Sequence, residues 1–256
     1  ENIIQLLRQK KIILLRWLPP LNLIEHGQDI DKLLLKSGKI IADSEELNWA
    51  TNIVSLVPDQ KVLEGSFSSN HRRSIKKCQA LNYNLTELST EREIEFFSEG
   101  YRNMYKMRGN KVADLLTIQA GLKALYNKFK NDGNGFFMCV YDNDKMIGGI
   151  SVAYTNKTAF YHIGFMDRNF KNFPVNHLLF YSAMLKAKAE GKLDFDLGGY
   201  AIDTSDKQVL NINRFKDGFK GQLLKYPNTR LIAFNFWGKM FYSILRYKRR
   251  VQKKRV

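Results

Sequence analysis

The residues in this sequence that could do chemistry are cationic rather than metal-binding or covalently nucleophilic. The four histidines, His26, His71, His162 and His177, have no zinc-ligand spacing to another histidine, cysteine or carboxylate. The sequence also contains no glycine-rich loop with a phosphate-binding lysine and no serine-nucleophile elbow. We therefore assign no metal and no covalent nucleophile. The groups that remain able to stabilise charge are lysines and arginines.

Lysine and arginine are in large excess over acidic residues. The chain has 41 Lys and Arg against 25 Asp and Glu, a net charge of +16. This charge favours polyanionic partners, namely nucleic acid, phosphate-bearing substrates or an anionic membrane surface. Eight of the basic residues lie between Lys239 and Arg255. That segment is either a contact arm or a solvated helix end that only aids solubility.

Composition indicates how large a core the chain can form and whether it could cross a membrane. A chain of 256 residues with 44% hydrophobic and 12% aromatic residues is expected to fold around a sizeable core. Its apolar stretches are much shorter than the ~20 residues that cross a bilayer. Cys78 and Cys139 have no metal-ligand or redox spacing, which suits a reducing cytosol. No signal peptide is expected after Glu1. Either the natural start of the chain is missing or the chain is a shortened relative of longer proteins.

The elements that must position these residues alternate between helix and strand, which predicts a mixed α/β or α+β architecture. Thr90 and Glu93 have the spacing of a capping box and predict the start of one helix. A complete unit of order β-α-α-β-β-β-α-β is predicted. Its strands cover residues 83–88, 136–141, 146–154, 158–165 and 193–197, and its helices cover residues 90–107, 118–129 and 175–190.

Four further elements are predicted before this unit. Ile12 to Leu18 is predicted to be a strand that ends at two prolines, and Ile30 to Leu35 a short helix. Asn52 to Val57 is predicted to be a strand that ends at Pro58. Gln60 to Leu81 is predicted to be one basic helix.

The element order resembles the fold of the GCN5-related N-acyltransferases (GNAT), and three local strings resemble the Fem-family aminoacyltransferases within it. The string Arg72-Arg73-Ser74-Ile75-Lys76-Lys77 is similar to the basic string before their second GNAT-like domain. The helix Asn176 to Gly191, followed by Phe195-Asp196-Leu197-Gly198-Gly199, resembles their helix, strand and paired glycines. Asn213-Arg214-Phe215-Lys216-Asp217-Gly218-Phe219 resembles their Phe-Lys motif. Together the strings cover roughly residues 50 to 225.

The resemblance implies an α+β (mixed α/β) fold with one complete C-terminal GNAT-like domain and part of a preceding one. We expect a partial N-terminal domain at 1–57, a basic linking helix at 58–81, the complete domain at 82–233 and an amphipathic basic tail at 234–256. Two complete domains are usual in the Fem family. The inserted coiled-coil arm of some members has no counterpart in this sequence.

The resemblance also implies an activity, the transfer of an amino acid from aminoacyl-tRNA to an amine of a lipid- or nucleotide-linked peptidoglycan precursor. Typical acetyl-CoA-dependent GNAT enzymes carry a glycine-rich pyrophosphate loop after their fourth strand. Here that place, Asp167 to Pro174, has no glycine. Acyl-CoA is therefore disfavoured, and we expect no cofactor, with aminoacyl-tRNA as co-substrate.

The site residues follow from the same match. Lys216 corresponds to the lysine of the Phe-Lys motif, which implies that it stabilises the oxyanion formed during transfer while Phe215 orients it. Arg108 resembles the family arginine that contacts the precursor's phosphates. Tyr161 aligns with a tyrosine that lines the substrate cleft. Asp196, Gly198 and Gly199 would bind substrate. From the residues alone, Lys216 is more typical of a surface lysine and Tyr161 of a core aromatic. Arg108 is equally a helix-end cation, and Asp196 could simply brace the glycine loop.

Two other functions stay open from the sequence. One is acyl transfer from acyl-CoA or acyl carrier protein in polysaccharide or lipid synthesis, and the other is a non-catalytic basic module that binds RNA or membrane.

The C-terminal segment has Trp237, Met240, Phe241, Ile244 and Leu245 at helical spacing beside basic residues. We expect it to attach the protein to the inner face of an anionic membrane, with tRNA contact or core packing as alternatives.

Overall fold

The computed structural model describes residues 9–17, 40–45, 49–81, 83–109, 113–170, 173–226 and 229–253. The chain divides into two compact units, one formed by Thr51–Leu223 and the other by Glu1–Ala50 together with Leu224–Val256. The domain limits predicted from the sequence remain predictions.

A seven-stranded sheet forms the centre of the larger unit. Its strands are β3 (Trp49–Ser55), β4 (Asn84–Glu87), β5 (Gly135–Asp142), β6 (Lys145–Tyr154), β7 (Thr158–Met166), β8 (Asp194–Ala201) and β9 (Gln222–Lys225). Their order in the sheet is β4-β5-β6-β7-β8-β3-β9. Strands β4 to β7 are consecutive antiparallel neighbours, and β7 and β8 are parallel.

Strands β7 and β8 are paired over only part of their length. The paired positions are Thr158 with Asp194, Ala159 with Phe195, and Phe160 with Asp196. Both strands continue beyond these pairs, β7 to Met166 and β8 to Ala201. Since the ladder ends while the strands go on, the sheet opens between their carboxyl-terminal halves.

Six helices accompany this sheet. They are α1 (Gln60–Ser66), α2 (Ser69–Gln79), α3 (Glu91–Met107), α4 (Leu115–Asp132), α5 (Val175–Ala189) and α6 (Lys207–Asp217). Alternate side chains of strand β5 belong to two separate hydrophobic cores, because successive side chains of a strand point to opposite faces of the sheet. Met138 and Val140 belong to the core with α1, α2 and α5, whereas Phe137 and Cys139 belong to the core with α3 and α4.

Local capping explains where the predicted helices begin. Helix α3 starts after Thr90, whose hydroxyl accepts the Glu93 N–H while the Glu93 carboxylate accepts the Thr90 N–H. The predicted capping box is therefore confirmed. Helix α4 starts three residues before its predicted position, because Asp114 caps the N–H of Thr117.

The predicted order β-α-α-β-β-β-α-β and the mixed α/β fold class are confirmed.

The predicted single helix from Gln60 to Leu81 is wrong. The chain forms two helices, α1 and α2, separated at Phe67 and Ser68. Phe67 is extended and fully buried, and the Ser68 hydroxyl accepts the backbone N–H of His71 as the cap of α2. Burial of the Phe67 ring and the serine cap together favour a break over a continuous helix.

The smaller unit contains a three-stranded antiparallel sheet of order β1-β10-β2 and a helix. The elements are β1 (Leu14–Trp17), β2 (Ile40–Glu45), β10 (Thr229–Ala233) and α7 (Phe236–Lys253). The first predicted strand is thus confirmed, and the predicted helix at residues 30–35 lies outside the described residues. No helix in the described part of the chain is both long and apolar enough to span a bilayer.

Candidate active site

A cavity of about 690 Å³ lies where strands β7 and β8 part, between α3 and α6. Five of the seven predicted site residues line it, namely Arg108, Tyr161, Gly199, Phe215 and Lys216. They come from α3, β7, β8 and α6, and lie up to 108 positions apart in the chain, since Arg108 and Lys216 form the extremes. The fold therefore brings most of the predicted site together.

Lys216 lies on the last turn of α6, a helix that begins where the Asp206 carboxylate caps the N–H groups of Gln208 and Val209. Its side chain is only 5% exposed, which is unusual for lysine. The ammonium donates a hydrogen bond of 2.5 Å to the backbone carbonyl of Gly199 at the end of β8. Lys216 is therefore a fixed cation at the wall of the cavity.

Burial changes the acid–base character of Lys216. Desolvation disfavours the charged ammonium and lowers the pKa of Lys216 to about 8, and the negative charge of Asp196 opposes part of this shift. Lys216 consequently exchanges its proton near neutral pH, unlike a solvated lysine. It is charged at pH 7 and increasingly neutral above pH 8.

Asp196 and Gly198 form the support behind Lys216. The buried carboxylate of Asp196 accepts hydrogen bonds from the Thr51 hydroxyl and, at 2.7 Å, from the Gly198 N–H. Gly198 has φ +77°, a conformation that glycine adopts without strain. A Cβ at Gly198 would lie 3.5 Å from the Tyr161 carbonyl and 4.0 Å from the Lys216 Nζ. These contacts match a brace for the turn, and substrate binding by Asp196 and Gly198 stays a prediction.

Three tyrosines and an arginine form another wall of the cavity. They are Tyr101 and Tyr105 on α3, Arg108 at the C-terminal cap of α3, and Tyr161 on β7. Desolvation and nearby Tyr105 raise the pKa of Tyr161 to about 12, and Arg108 opposes this shift. Desolvation and a hydrogen bond to Tyr105 likewise raise the pKa of Tyr101. The phenols of Tyr101 and Tyr161 are therefore neutral hydrogen-bonding groups in a cavity that also has the exposed guanidinium of Arg108.

Sequence reasoning missed Tyr101 and Tyr105. Tyr105 follows Tyr101 by four residues and Arg108 follows Tyr105 by three, which places all three residues on one face of α3 and its C-terminal cap. That spacing was the available signal, although it is equally typical of a core-facing stripe. Only the position of β7 beside this face of α3 makes it part of a cavity.

Phe215 and two histidines anchor the helix that carries Lys216. His71 on α2 donates a hydrogen bond of 2.8 Å from Nε2 to the Phe215 carbonyl, and its Nδ1 lies 3.1 Å from the Ser68 hydroxyl. The His177 ring on α5 lies 4.4 Å from the His71 ring and 5.0 Å from the Phe215 ring, centroid to centroid. The histidines thus fasten α6 to α2 and α5.

The segment that replaces the glycine-rich loop has four of its described backbone N–H groups hydrogen-bonded within the chain. It forms a short 3₁₀ helix at Arg168–Phe170 before α5. The N–H of Asn169 bonds to the Asp167 carboxylate, and those of Phe170, Phe173 and Val175 bond to backbone carbonyls of the same segment. These amides are therefore not directed at a ligand.

A larger cavity of about 1100 Å³ lies on another side of α3, beside the turn between β5 and β6. It contains none of the predicted site residues. In the described ranges, no group of three or more His, Cys, Asp or Glu side chains could hold a metal ion. The cavity at β7 and β8 is therefore our candidate active site.

Comparisons with solved structures show which known folds this chain is similar to. FemX superposes with a TM-score of 0.77 at 13% identity, covering 95% of this chain and 77% of its own. The C-terminal domain of a protein assigned as a lysylphosphatidylglycerol synthetase from Agrobacterium fabrum gives a TM-score of 0.58 at 12% identity, covering 95% and 74%. L-PGS from Bacillus licheniformis gives 0.54 at 10% identity, covering 91% and 71%. The predicted likeness to the Fem fold is confirmed.

Comparison of sequences gives the family itself. No curated protein matches the chain. The model of the family described as "Acetyltransferase (GNAT) domain" matches residues 65–216, which is more than half of the chain and includes all seven predicted site residues. The expected transferase class is thereby supported at the level of acyl transfer. This chain belongs to the acetyltransferase (GNAT) domain family.

Proposed function

We propose that this protein is an aminoacyltransferase that moves an amino acid from aminoacyl-tRNA to an amine of a peptidoglycan precursor. The observation that carries the proposal is the buried ammonium of Lys216, fixed on the Gly199 carbonyl at the wall of the cavity. Acyl transfer passes through a tetrahedral oxyanion, and a preorganised cation in a site shielded from water stabilises that charge.

The reaction that we propose balances without a cofactor. The acceptor amine attacks the ester carbonyl of aminoacyl-tRNA, a C–N bond forms, and negative charge develops on the carbonyl oxygen beside Lys216. The intermediate then collapses, the bond to the ribose oxygen breaks, and the proton lost by the amine is taken up by that oxygen. Lys216 stays an ammonium throughout and forms no covalent bond. Phe215 orients it from the same turn of α6.

The wall formed by residues of α3 and β7 suits an acceptor that carries phosphate. Arg108 provides a planar guanidinium at the exposed end of α3, which can hold phosphate oxygens with two hydrogen bonds. Tyr101, Tyr105 and Tyr161 provide phenol groups to the same cavity as Arg108 and Lys216. We therefore propose that Arg108 holds the phosphates of the precursor and that Tyr161 lines the path of its reactive amine.

The donor is proposed to be aminoacyl-tRNA rather than acyl-CoA. Binding of a pyrophosphate at a helix start needs backbone N–H groups that point at the ligand. In the corresponding segment here, Asn169, Phe170, Phe173 and Val175 donate to the chain itself. The net charge of +16 favours a polyanion such as tRNA as partner. The likeness in fold to FemX and to the domain assigned as a lysylphosphatidylglycerol synthetase agrees with an aminoacyl donor.

A second candidate is acyl transfer from a thioester of coenzyme A or acyl carrier protein. The match to a family of acetyltransferase domains favours it. Both candidates use the same oxyanion chemistry at Lys216, so they differ in donor and not in catalytic group. The donor is therefore what an experiment must decide.

The test is intact-mass analysis of a nucleotide-linked precursor incubated with the protein and charged tRNA. We expect the precursor to gain the mass of one aminoacyl residue, and pretreatment of the tRNA with ribonuclease to abolish the gain. A parallel reaction holds acetyl-CoA in place of tRNA. Gain of an acetyl group only in that reaction would replace the first candidate by the second. Salt-sensitive RNA binding with no product from either donor would support a non-catalytic basic module instead.

A further inference from the structure

Helix α7 exposes large apolar side chains along one face. The residues and their exposed fractions are Phe236 72%, Trp237 62%, Met240 42%, Phe241 50% and Ile244 46%. At ~100° per residue these five positions fall within about 140° of the helix circumference. Single exposed apolar residues are common, but a continuous stripe of five marks an interaction surface.

The charges of the same helix have one sign. Between Phe236 and Val256 the sequence has no Asp or Glu, and it has eight Lys or Arg. The backbone is helical to Lys253, so six of these eight belong to α7 itself. At the same angular step, positions 239, 246, 249 and 253 lie opposite the apolar stripe, position 250 lies beside the stripe, and position 248 falls within it. The helix is therefore amphipathic, with a cationic side and an apolar side that also includes Lys248.

The apolar stripe and the excess of cations on α7 together distinguish between three kinds of partner. A nucleic acid would be held by the cations but would leave the aromatic and aliphatic stripe in water. A protein groove would cover the apolar stripe. Binding in such a groove does not explain why the segment has eight basic residues and no acidic one. The surface of an anionic bilayer satisfies both sides, because apolar side chains enter the acyl boundary while cations stay at the headgroups.

We propose that α7 is an interfacial helix that binds the surface of an anionic lipid membrane through Phe236, Trp237, Met240, Phe241 and Ile244. It lies in the plane of the surface rather than through the bilayer, because six basic residues in the 18 of α7 are costly in the hydrocarbon interior. The inference stands apart from the proposed function, since it uses none of the residues of the cavity.

The first test is sedimentation of the whole chain with vesicles of phosphatidylcholine, with and without phosphatidylglycerol. We expect binding to the anionic vesicles at least ~10-fold tighter than to neutral ones, falling with added salt. The double variant Trp237→Ala/Phe241→Ala removes part of the stripe, and Arg246→Gln/Arg249→Gln/Arg250→Gln removes cations. Each should weaken anionic binding ~10-fold or more.

Matched controls lie in the other compact unit. Leu116→Ala removes an exposed leucine, 76% accessible, from α4, and Arg73→Gln/Lys76→Gln/Lys77→Gln removes three exposed cations from α2. Both should bind vesicles like the unaltered protein. If the controls lose as much binding as the α7 variants, net charge and general hydrophobicity explain the binding and the proposal is wrong.

The second test reports on Trp237 directly. The chain has three tryptophans, so Trp17→Phe/Trp49→Phe leaves Trp237 as the only one. With anionic vesicles its emission should shift to the blue and be quenched by brominated lipid. Emission that stays unchanged while the protein sediments would show that α7 does not enter the bilayer. Transfer RNA serves as competitor, and emission that responds to tRNA but not to vesicles would likewise overturn the proposal in favour of RNA contact.

Discussion

The ammonium of Lys216 is held 2.5 Å from the backbone carbonyl of Gly199, so the end of α6 is tied to the end of β8 at the point where the sheet opens. An acyl donor whose carbonyl oxygen approached Nζ would share this ammonium with Gly199. Because the cation is already oriented and desolvated, little reorganisation is needed when charge develops on that oxygen.

We predict that Lys216→Met retains fold and donor binding but loses turnover. Loss of one oxyanion stabiliser commonly lowers the rate by ~10²–10³. Methionine has a similar length and removes only the charge and the donor. The exposed Lys220, four residues away, supplies the control variant Lys220→Met. Turnover of folded Lys216→Met at the wild-type rate would contradict the proposed role.

The lowered pKa of Lys216 predicts how the rate depends on pH. With a pKa of about 8, the ammonium fraction falls as pH rises through 8, and charge stabilisation falls with it. We expect single-turnover rates to decline above pH 8 for the wild type. Lys216→Met should lack this decline at its lower rate. An identical decline in both proteins would assign it to another group, such as the acceptor.

The sequence predicted much of this arrangement because its signals are local. The Thr90–Glu93 capping box, the alternation of β5 and the order of elements each depend on neighbouring residues. The resemblance added the Phe215-Lys216 pair, and the fold places both at one cavity with Arg108.

The parts that the sequence did not predict depend on distant contacts. Thr51 is 145 residues from Asp196, its hydrogen-bond partner, and His71 is 144 residues from Phe215. No periodicity or spacing connects such pairs. The break between α1 and α2 was missed for a related reason, since it depends on burial of Phe67 among side chains of distant segments.

Gly198→Ala should lower turnover by more than its loss of stability explains. An L-residue at φ +77° costs roughly 1–2 kcal/mol, and the new Cβ would lie against Tyr161 and Lys216 Nζ. Gly191→Ala is a matched control, with φ +76° and no atom within 4 Å of an added Cβ. We expect similar losses of unfolding free energy in urea titrations, but reduced turnover only for Gly198→Ala. Equal turnover in the two variants would exclude a role for the Gly198 turn in positioning Lys216.

Arg108→Ala should weaken binding of the phosphate-bearing acceptor more than binding of the donor. Loss of a charge-assisted hydrogen-bond donor costs about 1.5–3 kcal/mol, a factor of roughly 10 to 150 in acceptor affinity. Arg108→Lys should recover only part of this, because an ammonium cannot replace the planar two-donor geometry. Calorimetric titration of each variant with the precursor measures the effect. Unchanged acceptor affinity in Arg108→Ala would count against the assignment.

The buried histidine pair predicts a loss of stability in mild acid. Desolvation, with a smaller contribution from His71, lowers the pKa of His177 to about 4, and desolvation also lowers the pKa of His71. Between pH 6.5 and 4 the unfolded chain therefore binds more protons than the folded one. Stability conferred by the neutral pair is present above pH 6.5 and is lost as pH falls towards 4, by an amount on the order of 1–3 kcal/mol.

Substitution of His177 separates the effect of the histidine pair on acid stability from the effect of carboxylate protonation. Glutamine stays neutral at every pH, so His177→Gln should be less stable than wild type at pH 7 but should lose less on acidification to pH 4.5. The exposed His162, outside the pair, provides the control His162→Gln, which should keep the wild-type slope. Urea midpoints at pH 7, 6, 5 and 4.5 give the comparison. The same slope in all three proteins would mean that the His71–His177 contact does not couple folding to protonation.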